Sequence, residues 1–267
     1  MTDSKYQAAL TYSSYLKVNE LLDLQKPVSN GPEHDEMLFI VIHQTYELWF
    51  KQLIHEFDQS MKLLDENKLF ESLAVLGRIR TIYKILVAQI DILETMTPLQ
   101  FNSFRGFLES SSGFQSAQFR QVEAILGRRD ENMISHFDPK SDEFKKISSY
   151  MSKKSLWDVV LNYLSNRGIN ISKSILNRDF AKEYEPSKEI EAALLHTYKN
   201  DPEASLLLEK LVDIDEGQQE WRYRHVKMVE RTIGSKIGTG GSSGAKYLAA
   251  TLFKPALPEL WSVRSQL

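Results

Sequence analysis

Residues 221–244, WRYRHVKMVERTIGSKIGTGGSSG, join the end of an amphipathic helix to a loop that is too rich in glycine and serine to stay helical. His225 lies four residues from both Trp221 and Val229, so its imidazole falls on the apolar stripe of the predicted helix. A histidine in such a position needs a hydrogen-bond partner or a metal ion. Gly234 is predicted to end the helix as a C-cap glycine.

Both features of this stretch also have ordinary explanations. A lone histidine on an apolar face is more often a hydrogen-bonded core residue than a ligand, and residues 238–244 are compatible with a flexible surface loop. A phosphate-binding loop is excluded, because Ala245 stands where a Walker loop needs lysine and because a helix, not a strand, precedes the glycines. The stretch alone therefore leaves core packing and a cofactor site both open.

The composition of the 267-residue chain narrows the possible functions. The net charge of −3 argues against nucleic acid or a membrane surface as a partner, since such proteins usually carry a basic patch. No apolar run approaches the ~18 residues of a membrane span, and the first residues lack the features of a signal peptide. We therefore expect a cytoplasmic protein. Without any cysteine, a zinc ribbon, an Fe–S cluster and a thiolate-ligated haem are excluded.

Helical periodicity dominates the chain. One long helix is predicted from His34 to about Leu64 and a second from Leu69 to about Glu94, forming an antiparallel pair. Shorter helices are predicted over Leu16–Leu24, Leu99–Leu108, Ala117–Leu126, Ser155–Leu164 and Lys188–Tyr198. No stretch indicates a sheet, so residues 1–267 are predicted to form a single all-α domain, a helix bundle with inserted helices.

Two further expectations concern the second half of the chain. The helix that begins at Pro202 is expected to end before the helix that carries His225. Residues 128–152 are highly charged, and we expect them to lie at the periphery. Both expectations follow from local sequence only.

Four blocks form a specific pattern: TYSSYL (11–16), HDEMLFIVIHQTYELWFK (34–51), FNSFRGFLESSSGFQSAQFR (101–120) and the block 221–244. Their order and spacing resemble those of the tryptophan 2,3-dioxygenase family, and together they span nearly the whole chain. The HDE-LF and GTGGSSG motifs are highly specific, whereas the charged stretches between residues 128 and 200 carry little of the resemblance.

The resemblance implies haem b, buried between the long helices, with His225 as the proximal ligand of the iron. His43 would be the distal histidine that bonds the indole N–H of L-tryptophan, and Phe39 would pack against the indole. Arg105 would clamp the substrate carboxylate, and Thr239 would reach the ammonium or the carboxylate.

The resemblance also implies a wider set of contacts and a homotetramer. Phe101 and Leu108 would line the substrate pocket, while Ser112, Gly113 and Gly238 would lie near the haem. Residues 1–25 would form an arm that is exchanged between subunits, so that Tyr12, Tyr15 and Leu16 close the pocket of a neighbour.

The implied reaction inserts O₂ across the indole C2–C3 bond and yields N-formylkynurenine, with ferrous haem supplying the oxygen chemistry. Three alternatives remain: a haem enzyme of the same fold that inserts one oxygen or acts on a substituted tryptophan, a haem- or tryptophan-binding sensor without turnover, and a non-haem iron enzyme. The last would need two histidines and a carboxylate to converge. Arg120 is an alternative to Arg105 as the residue that binds the substrate carboxylate. Whether His43 acts as a base or only orients the indole by a hydrogen bond stays open, because an indole N–H is a very weak acid.

Overall fold

The computed structural model describes residues 10–236, 238, 248–249 and 252–267. Over these ranges the regular structure is helical and no strand occurs, which confirms the all-α prediction. The α-helices are α1 (Tyr12–Leu16), α2 (Val18–Leu22), α3 (His34–Asp65), α4 (Leu69–Leu93), α5 (Pro98–Arg105), α6 (Ala117–Ile125), α7 (Asp142–Met151), α8 (Leu156–Asn166), α9 (Lys173–Leu176), α10 (Lys188–Asn200), α11 (Pro202–Ile233) and α12 (Pro258–Ser262). None of the described helices is both long enough and apolar enough to cross a bilayer.

Helices α3 and α4 form the antiparallel pair that the sequence predicts, with bounds within one residue of those expected. The Tyr46 hydroxyl donates to the Leu86 carbonyl at 2.8 Å near one end of the pair. Further along, Arg78 bonds the buried Glu56 at 2.7 Å. Because residue numbers rise along α3 while they fall along α4, the two helices run in opposite directions. Their shared apolar faces supply much of the main core.

Helix α11 is one continuous helix of 32 residues, so the expected break before His225 was wrong. Asp201 caps its first turn, Pro202 occupies the first helical position, and Gly234 ends it with a φ of 60°. The interior glycine, Gly217, does not interrupt the helix. A Cβ at that position would stand 3.1 Å from the Cβ of Tyr83, so the glycine allows α4 to approach closely.

Helix α11 packs along α4 in the parallel sense. Arg80 on α4 pairs with Asp213 at 3.2 Å, and further on Asp91 pairs with Arg224 at 2.7 Å. Helix α4 therefore contacts both α3 and α11. These are the two long helices that carry the histidines singled out by sequence.

Two other local expectations need correction. The helix predicted over Leu16–Leu24 is shorter and spans Val18–Leu22, because Lys17 has a φ of 54° and separates it from α1. Residues 128–152 are not wholly peripheral: Met133, Ile147 and Met151 are buried in a small second core. Arg129 is buried as well and donates to backbone carbonyls on several sides. Packing against residues far apart in the chain determines which of these side chains are buried, and the density of charged residues in the local sequence does not predict it.

The segment after the glycine-rich stretch is anchored to the middle of α11. The carboxylate of Asp215, which is buried, accepts from the backbone N–H groups of Ala256 and Leu257 at 3.0 and 3.1 Å. It also accepts from the indole N–H of Trp261 at 2.9 Å. These bonds satisfy a buried charge and fix the C-terminal segment against the bundle.

Candidate active site

A cavity of about 290 Å³ lies among α3, α5, α6 and α11. Most of its wall is apolar, with side chains such as Phe50, Ile90, Leu93 and Val229. Nine of the site residues proposed from the sequence line it: Phe39, His43, Phe101, Arg105, Ser112, Gly113, Arg120, His225 and Gly238. The fold therefore brings together motif residues from both halves of the chain.

His225 lies on the α11 wall of this cavity. The ring of Trp221, one turn earlier, stacks on the imidazole with centroids 5.2 Å apart and planes within 9° of parallel. Trp221 is held in turn by Phe119 at 4.9 Å and by Phe50, edge to face, at 6.0 Å. Helical spacing places the two rings on one face, and the aromatic residues of α3 and α6 fix the plane of the imidazole.

The imidazole of His225 is neutral at pH 7 and makes no hydrogen bond within the described residues. Burial lowers its pKa to about 4, and the charges of His43 and Arg120 act in the same direction. Neither ring nitrogen is hydrogen-bonded to any part of the chain that the structure describes. A neutral imidazole with an available nitrogen in a cavity wall is the form in which histidine binds metals. The ordinary explanation, a hydrogen-bonded core histidine, is not what is observed.

His43 lies on α3 and differs from His225 in having a fixed partner. Its Nδ1 is 2.7 Å from the carbonyl oxygen of Phe39, one turn earlier, and the two rings are 4.1 Å apart. Because a carbonyl only accepts, Nδ1 carries the hydrogen and Nε2 remains an acceptor. Desolvation lowers the pKa of His43, although the Phe39 carbonyl and the charge of Glu47 oppose the shift. His43 remains exposed to solvent, and it lines the cavity.

Glu47 connects the His43 wall to the start of α6. Its carboxylate accepts from the Ser116 hydroxyl and from the amide of Gln118, the latter at 2.8 Å. Ser116 is also the N-cap of α6, and its hydroxyl accepts from the N–H of Phe119. These bonds hold α3 and α6 at a fixed separation beside the cavity.

A buried charge cluster forms another part of the wall. Glu123 on α6 accepts from three guanidinium groups: Arg120, Arg128 at 2.6 Å and Arg222 at 2.5 Å. Burial alone would raise the pKa of Glu123, but the three positive charges outweigh it and hold the pKa below its usual range. Only Arg120 was singled out from the sequence. Nothing local distinguishes Glu123, Arg128 and Arg222 from solvated surface charges, so the pattern gave no signal for them.

Arg105 is the last residue of α5 and is half-buried in the cavity wall. Thr97 and Gln100 form a capping box at the start of this short helix. Phe101 and Phe104 are buried beside Arg105 and pack edge to face at 5.5 Å. The aromatic residues around the arginine thus anchor α5 to the core and leave the guanidinium at the cavity.

Several predicted residues lie elsewhere. Leu108 is half-buried against the main core and is not among the lining residues that are described. Tyr12, Tyr15 and Leu16 are 77%, 69% and 45% exposed, and they do not reach the cavity of their own chain. Thr239 lies outside the described residues. The set that a single chain brings together is therefore smaller than the set the resemblance implies.

A metal site built only from protein side chains has no candidate among the positions that the structure covers. No group of three or more histidine, aspartate or glutamate residues converges there. The non-haem iron alternative, which needs two histidines and a carboxylate, thus finds no ligand set in this part of the chain. For a metal ligand, the described part of the cavity offers the imidazole of His225, which is set in a mostly apolar wall.

Helical walls, two histidines and an arginine in one cavity define the class: an all-helical protein whose cavity can take an acidic ligand. The sequence comparisons identify the family. A family model described as tryptophan 2,3-dioxygenase matches residues 2–151 and 196–267. The chain belongs to the tryptophan 2,3-dioxygenase family.

Individual relatives cover the whole length of the chain. A tryptophan 2,3-dioxygenase of Herpetosiphon aurantiacus is 53% identical over 259 residues, which are 97% of this chain and 99% of the relative. One of Anaeromyxobacter dehalogenans is 53% identical and covers 100% of both chains. One of Caulobacter vibrioides is 44% identical over 97% of this chain and 98% of its own length.

Proposed function

We propose that this protein is a haem-dependent dioxygenase that cleaves the indole C2–C3 bond of L-tryptophan with O₂ and releases N-formylkynurenine. The observation that carries the proposal is the convergence of His225, His43 and Arg105 on one cavity. Relatives that cover the full chain are named tryptophan 2,3-dioxygenases, which favours insertion of both oxygen atoms over insertion of one.

The residues of the cavity fit haem b. His225 supplies a neutral imidazole that no described residue hydrogen-bonds, and its plane is fixed by stacking on Trp221. In the absence of cysteine the axial ligand has to be an imidazole or another neutral or phenolic side chain. Haem held in this way supplies the binding and activation of O₂ when the iron is ferrous. Ser112, Gly113 and Gly238 are proposed to lie along the cofactor.

His43 is proposed to orient the indole. Its Nε2 is the acceptor that remains after Nδ1 bonds the Phe39 carbonyl, and an indole N–H is a suitable donor. The lowered pKa of His43 keeps this acceptor available at neutral pH. The same shift makes the imidazole a weak base, and an indole N–H is a very weak acid. Orientation by a hydrogen bond is therefore the role that the geometry favours.

Arg105 is proposed to bind the substrate carboxylate, with Thr239 contacting the amino-acid group from the glycine-rich stretch. A guanidinium fork fixes the direction of a carboxylate as well as its charge. Phe39 and Phe101 would pack against the indole from α3 and α5. Holding both ends of the substrate would keep the indole in one geometry within the cavity, which lowers the entropic part of the barrier.

The arm is proposed to complete the site of a neighbouring subunit in a homotetramer. Apolar side chains of residues 10–24 are exposed on the single chain: Leu10, Tyr12, Tyr15, Leu16, Leu21, Leu22 and Leu24. Such a cluster of exposed apolar groups is typical of a protein–protein contact. Tyr12, Tyr15 and Leu16, which do not reach the cavity of their own chain, would then close the cavity of a neighbouring chain.

Product analysis under isotope-labelled O₂ tests the reaction. Reduced, haem-loaded protein is given L-tryptophan, and the product is analysed by mass spectrometry. We expect N-formylkynurenine with both oxygen atoms labelled. One labelled atom would establish the monooxygenase alternative instead, and a bound haem without any product would indicate a sensor.

A further inference from the structure

The wall of the cavity carries more positive than negative charge. Among the described residues, four arginines and two glutamates line it: Arg105, Arg120, Arg128, Arg222, Glu47 and Glu123. Glu47 bonds Ser116 and Gln118, so its charge is not shared with the guanidinium groups. Arg128 has a second carboxylate in Asp130 at 3.3 Å. Arg120 and Arg222 share the single carboxylate of Glu123.

The guanidinium of Arg120 is incompletely bonded. Its side chain is only 10% exposed, and it lies over the rings of Phe114 and Phe119 at 5.7 and 5.3 Å. Nη1 donates to Glu123, whereas Nε and Nη2 have no acceptor in the described part of the chain. A buried charge with unused donors is costly unless a further anion joins it. The cavity is the place from which such an anion can reach Arg120.

A continuous series of ring contacts connects Arg120 to the proposed iron ligand. The guanidinium lies on Phe119, the Phe119 ring is 4.9 Å from that of Trp221, and Trp221 stacks on His225 at 5.2 Å. A planar cofactor centred on His225 would therefore extend into the part of the cavity that Arg120 lines. Haem b carries two carboxylates on one edge of its ring, and these are the anions that such a cofactor brings.

We propose that Arg120 is the anchor of a porphyrin carboxylate, held in position by Glu123 and by stacking on Phe114 and Phe119. This inference rests on the haem proposal above. It assigns the two candidate arginines to different anions: Arg105 to the substrate carboxylate and Arg120 to the cofactor. A forked guanidinium contact to a carboxylate would use the Nε and Nη2 donors that the chain leaves without an acceptor.

The test compares two porphyrins and needs no turnover. Zinc protoporphyrin, which is fluorescent, and its dimethyl ester, which lacks both charges, are titrated into haem-free protein in the same detergent-containing buffer. The measured quantity is the ratio of the two dissociation constants. Arg120→Gln is compared with the wild type and with Arg224→Gln, a control on α11 whose arginine pairs with Asp91 and Glu94 away from the cavity.

We expect the wild type and Arg224→Gln to prefer the charged porphyrin, and Arg120→Gln to reduce that preference by about tenfold or more, as for loss of a charge-assisted contact. Binding of the ester should change little, because a general folding defect would weaken both porphyrins equally. If Arg120→Gln does not fold, Arg120→Met replaces it, since the methionine keeps an apolar stem between Phe114 and Phe119.

The outcomes separate the two proposals. If the wild type binds neither porphyrin, the haem proposal fails and this inference fails with it. If the wild type binds both but the neutral variant at position 120 keeps the full preference for the charged porphyrin, only the assignment of Arg120 is overturned. An equal loss for both porphyrins would likewise reduce Arg120 to a structural role.

Discussion

The two walls of the cavity present histidines of opposite character. On α3, His43 has its Nδ1 committed to the Phe39 carbonyl, so its tautomer is fixed and only Nε2 is available. On α11, His225 has no hydrogen-bond partner within the described ranges and is oriented by stacking on Trp221. Desolvation lowers the pKa of both imidazoles. The difference shows that desolvation favours the neutral form of both rings, whereas the local partner decides which ligand each ring can take.

This contrast assigns the two walls to different tasks. An imidazole whose second nitrogen is bonded offers one acceptor in a defined direction, which suits a substrate N–H. An imidazole held only by ring contacts leaves its nitrogens available, which suits a metal. The predictions that follow change one wall at a time and should leave the function of the other wall measurable.

The largest effect is expected at the α11 wall. His225→Ala should abolish stable haem binding, because no other imidazole of α11 faces the cavity. The absorbance of the Soret band per mole of protein reports the loss. Added imidazole can enter the space left by the side chain, so partial recovery of the band would show that the fold survives. A normal haem spectrum in this variant without imidazole would contradict the ligand assignment.

The next effect concerns the carboxylate clamp. Arg105→Ala should raise the KM for L-tryptophan by about 30-fold or more, since truncating one member of a desolvated charge pair costs roughly 2–5 kcal/mol. Haem content should stay at the wild-type level. Steady-state kinetics on the haem-loaded variant give the answer, with Arg224→Ala as a matched control. An unchanged KM would transfer the clamp to Arg120 and would count against the cofactor role of that residue.

A smaller effect is expected on the α3 wall, and its size distinguishes two roles for His43. If the imidazole only orients the indole, His43→Ala should lower kcat/KM by about tenfold or less, the typical net value of one neutral hydrogen bond. If it removes a proton in the rate-limiting step, the loss should be about 100-fold or more. We expect the smaller loss, with haem uptake intact. Parallel measurement of kcat/KM and of Soret absorbance separates the two walls.

The smallest effect is a displacement of the pH profile. Only neutral His43 can accept the indole N–H, so activity should be present above its pKa and should fall as pH drops through that value. Since the pKa is lowered, this acidic limb should lie below the ordinary histidine value of about 6.5. Glu47→Gln removes a negative charge that opposes the lowering, so the limb should move to still lower pH.

Profiles of kcat/KM against pH for the wild type, Glu47→Gln and His43→Ala test this assignment together. A limb that persists unchanged in His43→Ala would belong to another group. Glu47 also bonds Ser116 and Gln118, so the melting temperature of Glu47→Gln should be recorded to show that α3 and α6 still pack.

Features that depend on neighbouring residues were predicted correctly from the sequence. The long helices α3 and α4 were predicted to within one residue because each carries an unbroken apolar face and ends in a polar turn. Gly234 ends α11 as predicted, since a φ of 60° favours glycine. Phe39 and His43 were placed on one helical face by their spacing, and the structure brings their rings to 4.1 Å.

Features that depend on residues far apart in the chain could not be predicted from the sequence. The continuity of α11 through Gly217 depends on Tyr83 of α4, which occupies the space beside the glycine. The role of Glu123 depends on arginines from α6, α11 and the segment between α6 and α7. Each of these charges looks like a solvated surface group in its own stretch, because desolvation is a property of the folded environment.

The sequence by itself determined an all-helical, cysteine-free chain and the motif residues that resemble one dioxygenase family, because helical periodicity and motif spacing are properties of neighbouring residues. Only the tertiary structure decided that His225 makes no hydrogen bond within the described residues, that His43 keeps Nε2 available and that three guanidinium groups surround one buried carboxylate. Those features arise from which groups exclude water from one another across the fold, and a linear sequence does not contain that information in any one place.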